Sequence, residues 1–269
     1  MKRIAIQLYI FLRRLHLKAR ISLMSLAEVC HRPTNAGYPI PPPRMRQLTT
    51  AGHVTVTQHI QEGRQAAKMV EEAVNREMVE PESVTAVLDF GCGGGRVLRH
   101  LRGVWPHAQL FGSDVDEELI NWTRKNMHEL AQWQIGDYLP PSEFASESLD
   151  IIYAVSVFTH MDEESQSAWL NEFHRIMKPK GLLLITVSPL READAQSSWD
   201  YRNQQGMVYR YRCNEIVDRS WMKHQAVIPH YIDAKHSEIY CKSVWGSLFE
   251  FRGFFRDSLR SQALVVLRK

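Results

Sequence analysis

The stretch that most limits what this 269-residue chain can fold into runs from residue 84 to residue 101: Val-Thr-Ala-Val-Leu-Asp-Phe-Gly-Cys-Gly-Gly-Gly-Arg-Val-Leu-Arg-His-Leu. Val84 to Phe90 is a short apolar, β-branched run containing one carboxylate, Asp89, the pattern of a buried strand. Gly91, Gly93, Gly94 and Gly95 follow, and Val97, Leu98 and Leu101 then recur at helical spacing. A strand, a glycine turn and a helix in succession open a nucleotide-type site. Glycine allows positive φ and leaves no Cβ between backbone and ligand. The unpaired N–H groups at the helix start favour an anionic group there.

Spacing narrows the ligand. A dinucleotide fingerprint counted from Gly91 needs its third glycine at position 96, which is Arg96, and its bulk would crowd helix against strand. No Gly-Lys-Ser/Thr follows, so a phosphate-cradling loop is not supported. The stretch resembles the first motif of class I S-adenosylmethionine-dependent methyltransferases, V-L-D-x-G-C-G-x-G-R. A glycine turn in another α/β protein is the bland alternative. The resemblance implies an α/β fold: a doubly wound, Rossmann-like, seven-stranded, mainly parallel sheet with an antiparallel C-terminal strand pair. It also implies S-adenosyl-L-methionine as cofactor, with Gly91, Gly93 and Gly95 around its methionine part and Asp89 near the ammonium.

Downstream residues extend the pattern. Ala108 to Asp114 reads as a second strand ending in a carboxylate about twenty residues beyond the turn, where an acid can accept both ribose hydroxyls. Gly112-Ser-Asp114 matches the family's G-x-D, so Asp114, with Val115 after it, is a cofactor-binding candidate; a helix-cap role is the plainer reading. Asp116, Glu117 and Glu118 suit a helix dipole and need no ligand. Gln132 to Ile135 is a short third strand, followed by Gly136-Asp137-Tyr138-Leu139-Pro140-Pro141. By resemblance Asp137 and Tyr138 face the adenine, whereas an Asp-led turn before prolines would look the same.

Residues 149–160 form the central buried strand and the loop leaving its C-terminal end, where ligands bind in open α/β sheets. Ser156 is a donor-site candidate. Histidine ordinarily changes charge near neutrality, which makes His160 the first candidate general base. The base-gripping Asn/Asp-Pro-Pro-Tyr motif is absent here, which argues against DNA adenine methylation. The run from Val157 through helix Glu163–Met177 to Lys178-Pro-Lys-Gly181, then strand Gly181–Val187, resembles the third motif of the same family. It is most similar to the branch in bacterial cell-surface and secondary-metabolite sugar pathways. His236-Ser resembles a His-Ser of that branch and gives a second base candidate, His236. The branch often has Asp after the Gln near its last strand; here Ala263 follows Gln262. Trp245 to Arg252 and Gln262 to Arg268 read as the closing strand pair.

The flanks are less specific. Residues 1–20 carry Lys2, Arg3, Arg13, Arg14, Lys18 and Arg20 and no acid, while the chain as a whole is only +3. The folded part therefore has no basic stripe, and no nucleic-acid partner is expected. Ile4 to Leu12 is too short to span a bilayer and lacks a cleavage signal. It reads either as a helix lying on an anionic membrane or as one packed on the domain or a second subunit, a homodimer contact. Pro33, Pro39, Pro41, Pro42 and Pro43 mark a linker or lid. The organisation expected is a basic N-terminal helix and Pro-rich lid over 1–52, then a methyltransferase domain over 53–269, with an acceptor-binding insertion at 190–240. A long helix is expected from His53 to Met78, with Tyr38, Gln58 and Arg64 as pocket-lining candidates.

Four cysteines without C-x-x-C spacing suit a reducing, cytoplasmic compartment and neither a zinc site nor a disulfide framework; no metal is expected. Cys92 reads as packing rather than as a nucleophile. The expected activity is methyl transfer to an O or N atom of a small molecule or glycan. A catalytically silent donor-binding scaffold of the same fold, and a nicotinamide-dependent oxidoreductase, are the alternatives.

Overall fold

The computed structural model describes residues 33–49, 55–194, 197, 199–211 and 232–269, with a helical stretch, α1, described at 12, 15, 16, 18–26 and 28. A two-residue hairpin, β1 (Thr34–Asn35) and β2 (Tyr38–Pro39), leads into the short helix α2 (Pro43–Thr49). Helix α3 (Val56–Arg76) follows, with the Thr55 hydroxyl capping its start by accepting the Gln58 N–H. It covers the body of the expected His53–Met78 helix, and His53 itself lies outside the described residues.

Strands and helices then alternate: β3 (Ala86–Phe90), α4 (Leu98–Leu101), β4 (Gln109–Asp114), α5 (Glu117–Asn126), β5 (Gln132–Ile135) and β6 (Leu149–Ala154). Helix α6 (Glu163–Ile176) leads into the long β7 (Met177–Pro189). Alternation of this kind requires parallel pairing, since each helix carries the chain back along the sheet. Strands β5, β4, β3, β6 and β7 lie side by side in that order, all parallel. Two closing strands, β11 (Glu250–Leu259) and β12 (Gln262–Arg268), form an antiparallel pair, and β12 runs antiparallel to β7. These seven strands are the sheet expected from the sequence.

Three further strands extend that sheet. The insertion contributes β8 (Tyr201–Arg202), β9 (Met207–Tyr211) and β10 (Ile232–His236), making a ten-stranded sheet. β10 joins the far end of β7 in parallel, Lys235 opposite Ser188 and His236 opposite Pro189, and carries β9 and β8 antiparallel beyond it. The length of β7 makes this branch possible: its Leu182–Val187 portion pairs with β12, and only its last two residues reach β10. The closing pair is also shifted. Trp245 was expected to begin a strand but lies in a 3₁₀ turn, Trp245–Ser247, after helix α7 (Glu238–Ser243). Its ring is buried against Phe158, His236 and Tyr240, an anchoring role that the extended backbone of an edge strand would not allow.

Side chains alternate across the sheet with the period of two that strands impose. Val87, Leu182, Leu184, Leu264 and Val266 join the core beneath α3, α4 and α5. Leu88, Leu183, Ile185, Val265 and Leu267 join the opposite core, with Trp169, Leu170, Phe173 and Ile176 of α6. Both faces are covered, so the central strands read as continuous apolar runs.

Candidate functional site

Strand order reverses at β3: β4 and β5 extend the sheet to one side and β6 and β7 to the other. The crevice outside the carboxyl ends of β3 and β6 is where such sheets bind ligands. The candidate residues collect there, because Asp89 stands in the last turn of β3, Asp114 ends β4, Asp137 follows β5 and Ser156 follows β6.

The glycine turn follows from its own hydrogen bonds. Gly91 and Cys92 both donate their N–H groups to the Ser113 carbonyl, at 2.8 and 3.0 Å, which folds the chain back over the end of β4. Gly91 and Gly93 adopt φ of +76° and +53°, the left-handed region that side chains disfavour. The neighbours also forbid a side chain: a Cβ on Gly91 would lie 2.3 Å from Val157 Cγ2, and one on Gly93 2.4 Å from Thr49 Cγ2. Gly95 shares the positive φ, at +69°. Cys92 is buried and its thiol is pushed well up by burial, in keeping with packing and not nucleophilic attack.

Asp114 ties the turn to the next helix. Its Oδ2 accepts the Gly93 N–H at 2.8 Å and its Oδ1 accepts the Asp116 N–H at 2.9 Å. Burial raises its pKa, against those two backbone donors. Helix capping belongs to Asp116, which accepts the Leu119 N–H at 3.0 Å, so Asp114 is not the N-cap. Val115 is half-buried beside it. The loop of Asp137 and Tyr138 is drawn in by the Gly136 N–H, which donates to the Asp114 carbonyl at 2.9 Å. Asp137 is exposed; Tyr138 is half-buried, and its carbonyl accepts the Trp169 indole N–H at 2.9 Å.

Asp89 is the most perturbed acid of the site. It is buried, and burial pushes its pKa up from 3.8 to about 7; Asp114 adds to this, while the Tyr153 hydroxyl and the Arg96 guanidinium work the other way. Asp89 Oδ2 and the Tyr153 hydroxyl are both buried, near enough for the hydroxyl to favour the carboxylate but outside full hydrogen-bond geometry to any of the described residues. An orphaned carboxylate oxygen of this kind, beside a turn that admits no Cβ, fits the ammonium of an amino-acid-like ligand.

The two histidines have different environments. His160 is half-buried at the end of a 3₁₀ turn, Phe158–His160. Its Nδ1 lies 3.1 Å from the Ile232 carbonyl. A carbonyl only accepts, so Nδ1 carries the proton and Nε2 is the basic nitrogen of the neutral ring. His236 is fully buried, and burial lowers its pKa to about 3. Its Nε2 faces Gln166 Oε1 at 3.0 Å, and the Gln166 amide donates to the carbonyls of Phe158 and Met161, at 2.9 Å each. With its NH₂ committed, Gln166 can only accept from His236 Nε2–H. The expectation of His236 as a base is therefore corrected: a neutral imidazole sealed in the core holds the His160 turn through Gln166.

Ser156 adopts φ of +62°, its N–H donates to Thr186 Oγ1 at 2.7 Å and its hydroxyl donates to Gln262 Oε1 at 2.9 Å. A non-glycine residue held in this region marks a loop fixed by its surroundings. Gln262, at the start of β12, is thus drawn to the site's edge, while Ala263 is buried in the sheet.

The sequence left the Pro-rich segment as a linker or a lid without saying how it would fold. The segment folds as β1, β2 and α2 directly over the glycine turn: a Cβ on Gly94 would lie 2.7 Å from Pro41 Cγ. Arg99 joins the two, donating to the carbonyls of Gly95 at 3.1 Å, Gly94 at 3.4 Å and Pro39 at 3.1 Å. Arg46, fully buried, donates to the Pro41 carbonyl at 2.7 Å and forms a two-pronged ion pair with Glu28 at 2.7 and 2.9 Å. His59 lies beneath them, buried, with both ring nitrogens unpartnered and its pKa lowered to about 2 by burial and by Arg99, Arg96 and Arg46. Of the earlier lining candidates, Tyr38 packs against the core, Gln58 is occupied with the Thr55 cap and Arg64 is exposed.

The described aromatic residues of the insertion are engaged with protein groups. Tyr201 and Tyr209 stack at 4.7 Å, the Tyr201 hydroxyl donates to Glu163, and Lys235 lies over the Trp199 ring. Trp221, Arg212 and Arg219 lie outside the described residues. Among the described residues no group of three His, Cys, Asp or Glu is placed to hold a metal ion.

Comparison with known proteins agrees with this fold. Residues 87–181 match the family model described as a methyltransferase domain. With the strand order above, this part of the chain is similar to class I S-adenosylmethionine-dependent methyltransferase domains. Curated relatives include two proteins named malonyl-[acyl-carrier protein] O-methyltransferase. The one from Legionella pneumophila is 27% identical over 149 residues, 55% of this chain and 50% of the relative. The one from Halalkalibacterium halodurans is 24% identical over 52% of this chain and 54% of the relative. The chain thus spans about half the length of the curated relatives it matches. Among solved structures, magnesium protoporphyrin IX methyltransferase from Synechocystis with bound SAH has a TM-score of 0.54 at 16% identity, covering 84% of this chain and 92% of that one. A Haloferax volcanii putative methyltransferase in complex with the Trm112 activator has a TM-score of 0.52 at 17% identity, covering 74% and 88%. At these identities the two structures establish the shared fold.

Proposed function

We propose that this protein transfers a methyl group from S-adenosylmethionine to an oxygen or nitrogen atom of a small-molecule acceptor. The observation that carries the reading is the glycine turn at the switch point with the orphaned Asp89 carboxylate beside it. In this reading Gly91, Gly93 and Gly95 receive the methionine portion of the donor, and Asp89 pairs with its ammonium. Asp114 and Val115 face the ribose and the adenine edge, Asp137 and Tyr138 the adenine, and Ser156 the reacting end. The donor supplies an already electrophilic methyl carbon. The protein's task is to hold the acceptor atom in line, exclude water and remove one proton. In this reading His160 takes that proton; its Nδ1 facing the Ile232 carbonyl supports the tautomer with Nε2 as the basic nitrogen.

The acceptor has two supported readings. The relatives named as O-methyltransferases of a malonyl carrier protein favour an oxygen acceptor. A carboxylate acceptor needs no base, whereas a hydroxyl needs His160. The motif around Val157 to Gly181 favours a glycan hydroxyl by its likeness to sugar-pathway enzymes. Isothermal titration with S-adenosylhomocysteine, alongside NAD, tests the donor site. Micromolar binding that Asp114→Ala abolishes, with NAD silent, is the expected result. Because Asp114 also ties two backbone N–H groups, Asp114→Asn and a thermal melt accompany it. A folded protein that ignores S-adenosylhomocysteine would sink the reading and favour the silent-scaffold alternative.

A further inference from the structure

Helix α1 has two unlike faces. Ile21, Met24, Ser25 and Glu28 are half-buried, and Glu28 forms the ion pair with Arg46 that docks the helix on the strap over the glycine turn. At roughly 100° per residue these four positions share one side of a helix. Leu12, Leu15, Leu23 and Leu26 fall on the opposite side, together with Ala19, and are 54%, 49%, 67% and 70% exposed. A docked helix needs only one apolar face, and this one has a second, made of leucines that are about half or more exposed.

Charge selects the occupant. Lys18 and Arg20 fall on opposite flanks of the leucine stripe, and both are exposed. The first twenty residues hold six basic side chains and no acid, against a net negative remainder. An apolar stripe bordered by cations is the pattern of a helix lying in the interface of an anionic bilayer, apolar face down and basic flanks at the headgroups. A second copy of the chain would bring the same cations against each other. None of the described helices is long and apolar enough to cross a membrane, so the contact is one of lying on the surface.

We infer that the exposed leucine face of α1 docks this protein on anionic lipid surfaces. The inference is independent of the methyltransferase reading. It ties the membrane contact to the site only through the Glu28–Arg46 ion pair, which fixes α1 to the strap.

Flotation of the full chain with phosphatidylcholine vesicles, with and without phosphatidylserine, tests it. Binding is expected to the phosphatidylserine vesicles, and to weaken with added salt. Leu23→Glu together with Leu26→Glu should weaken it about a hundredfold, since each buried leucine contributes roughly tenfold or more. Both positions are exposed, so the thermal midpoint should stay unchanged, which separates lost docking from lost folding. Absence of binding to phosphatidylserine vesicles overturns the inference, as does binding that the double substitution leaves intact. A leucine-dependent dimer in sedimentation without vesicle binding assigns the stripe to a second copy and also overturns it.

Discussion

At the scale of single residues, the site is built from groups whose ionisation the fold has moved. Asp89 is held near pKa 7 mainly by burial, which outweighs the Tyr153 hydroxyl and the Arg96 guanidinium. An ammonium placed beside its orphaned oxygen favours the charged form and lowers that pKa, so ligand binding near neutral pH should expel a proton. Calorimetry with S-adenosylhomocysteine in buffers of different ionisation enthalpy should show net release approaching one proton near pH 6.5. Asp89→Asn should remove that release. Buffer-independent heats for the unaltered protein would place the ammonium elsewhere. How far these residues were legible depended on locality. The glycines, Asp89 and Asp114 lie in contiguous motifs, where type and spacing carry the information. His236 sits in an equally suggestive His-Ser pair, yet its meaning depends on Gln166 and Trp245, which approach it from distant positions, and the sequence gives no hint of that burial. His59 is the same case: it lies on a helix face whose spacing is plain, but the arginines around it come from two other segments, Arg46 from α2 and Arg96 and Arg99 from the stretch after the glycine turn.

At the scale of elements, the strap over the glycine turn depends on one buried cation. Arg46 is fully buried, and its guanidinium satisfies both oxygens of Glu28 and the Pro41 carbonyl at once. Arg46→Ala would strand Glu28, which is 20% exposed, and the Pro41 carbonyl, at a cost of about 3 kcal/mol. Arg46→Lys keeps the charge but loses the planar fork, so it should recover only part of that loss. Chemical denaturation of the three proteins should rank them in that order, and affinity for S-adenosylhomocysteine should fall along with stability if the strap helps to close the donor pocket. Equal stability of all three would show that α1 and α2 are held by other contacts. The sequence reading found irregular structure here because five prolines in eleven residues exclude a long helix or a central strand. It did not find the hairpin or α2, since both are short and their stability comes from Arg46 and Arg99 and not from local propensity. The βα alternation was legible throughout residues 84–188, where each element buries its own periodic face. The extra strands β8 to β10 were hidden because polar and aromatic residues form a sheet edge without a strong apolar alternation.

At the scale of the whole molecule, burial of titratable groups sets how the fold responds to acid. His59, His100 and His236 have pKa values lowered from 6.5 to about 2, 4 and 3, with burial the largest cause in each. Their unfolded forms take up protons below about pH 6.5 while the folded forms do not, so each contributes stability above that pH that is lost as pH falls through the folded pKa. Asp89 has the opposite sign. Raised from 3.8 to about 7, it holds a proton in the folded state that the unfolded chain has released, and its contribution falls as pH rises across that window. Between about pH 4.5 and 6 the three histidines outweigh Asp89 and Asp114, whose pKa burial also raises. With half-buried His100 discounted for solvent screening, the unfolding free energy should rise with pH by at most about 2 kcal/mol per unit. Urea midpoints measured across that range test the slope. His236→Gln offers the sharper check, because glutamine can still donate to Gln166 Oε1 while no longer titrating. Its stability should depend less steeply on pH, by about 1.4 kcal/mol per unit, and the variant should match or exceed the unaltered protein at the acid end. Parallel slopes for the two proteins would mean that His236 already titrates freely in the folded state, and that the core around α7 opens far more readily than its packing against Tyr240 and Trp245 implies.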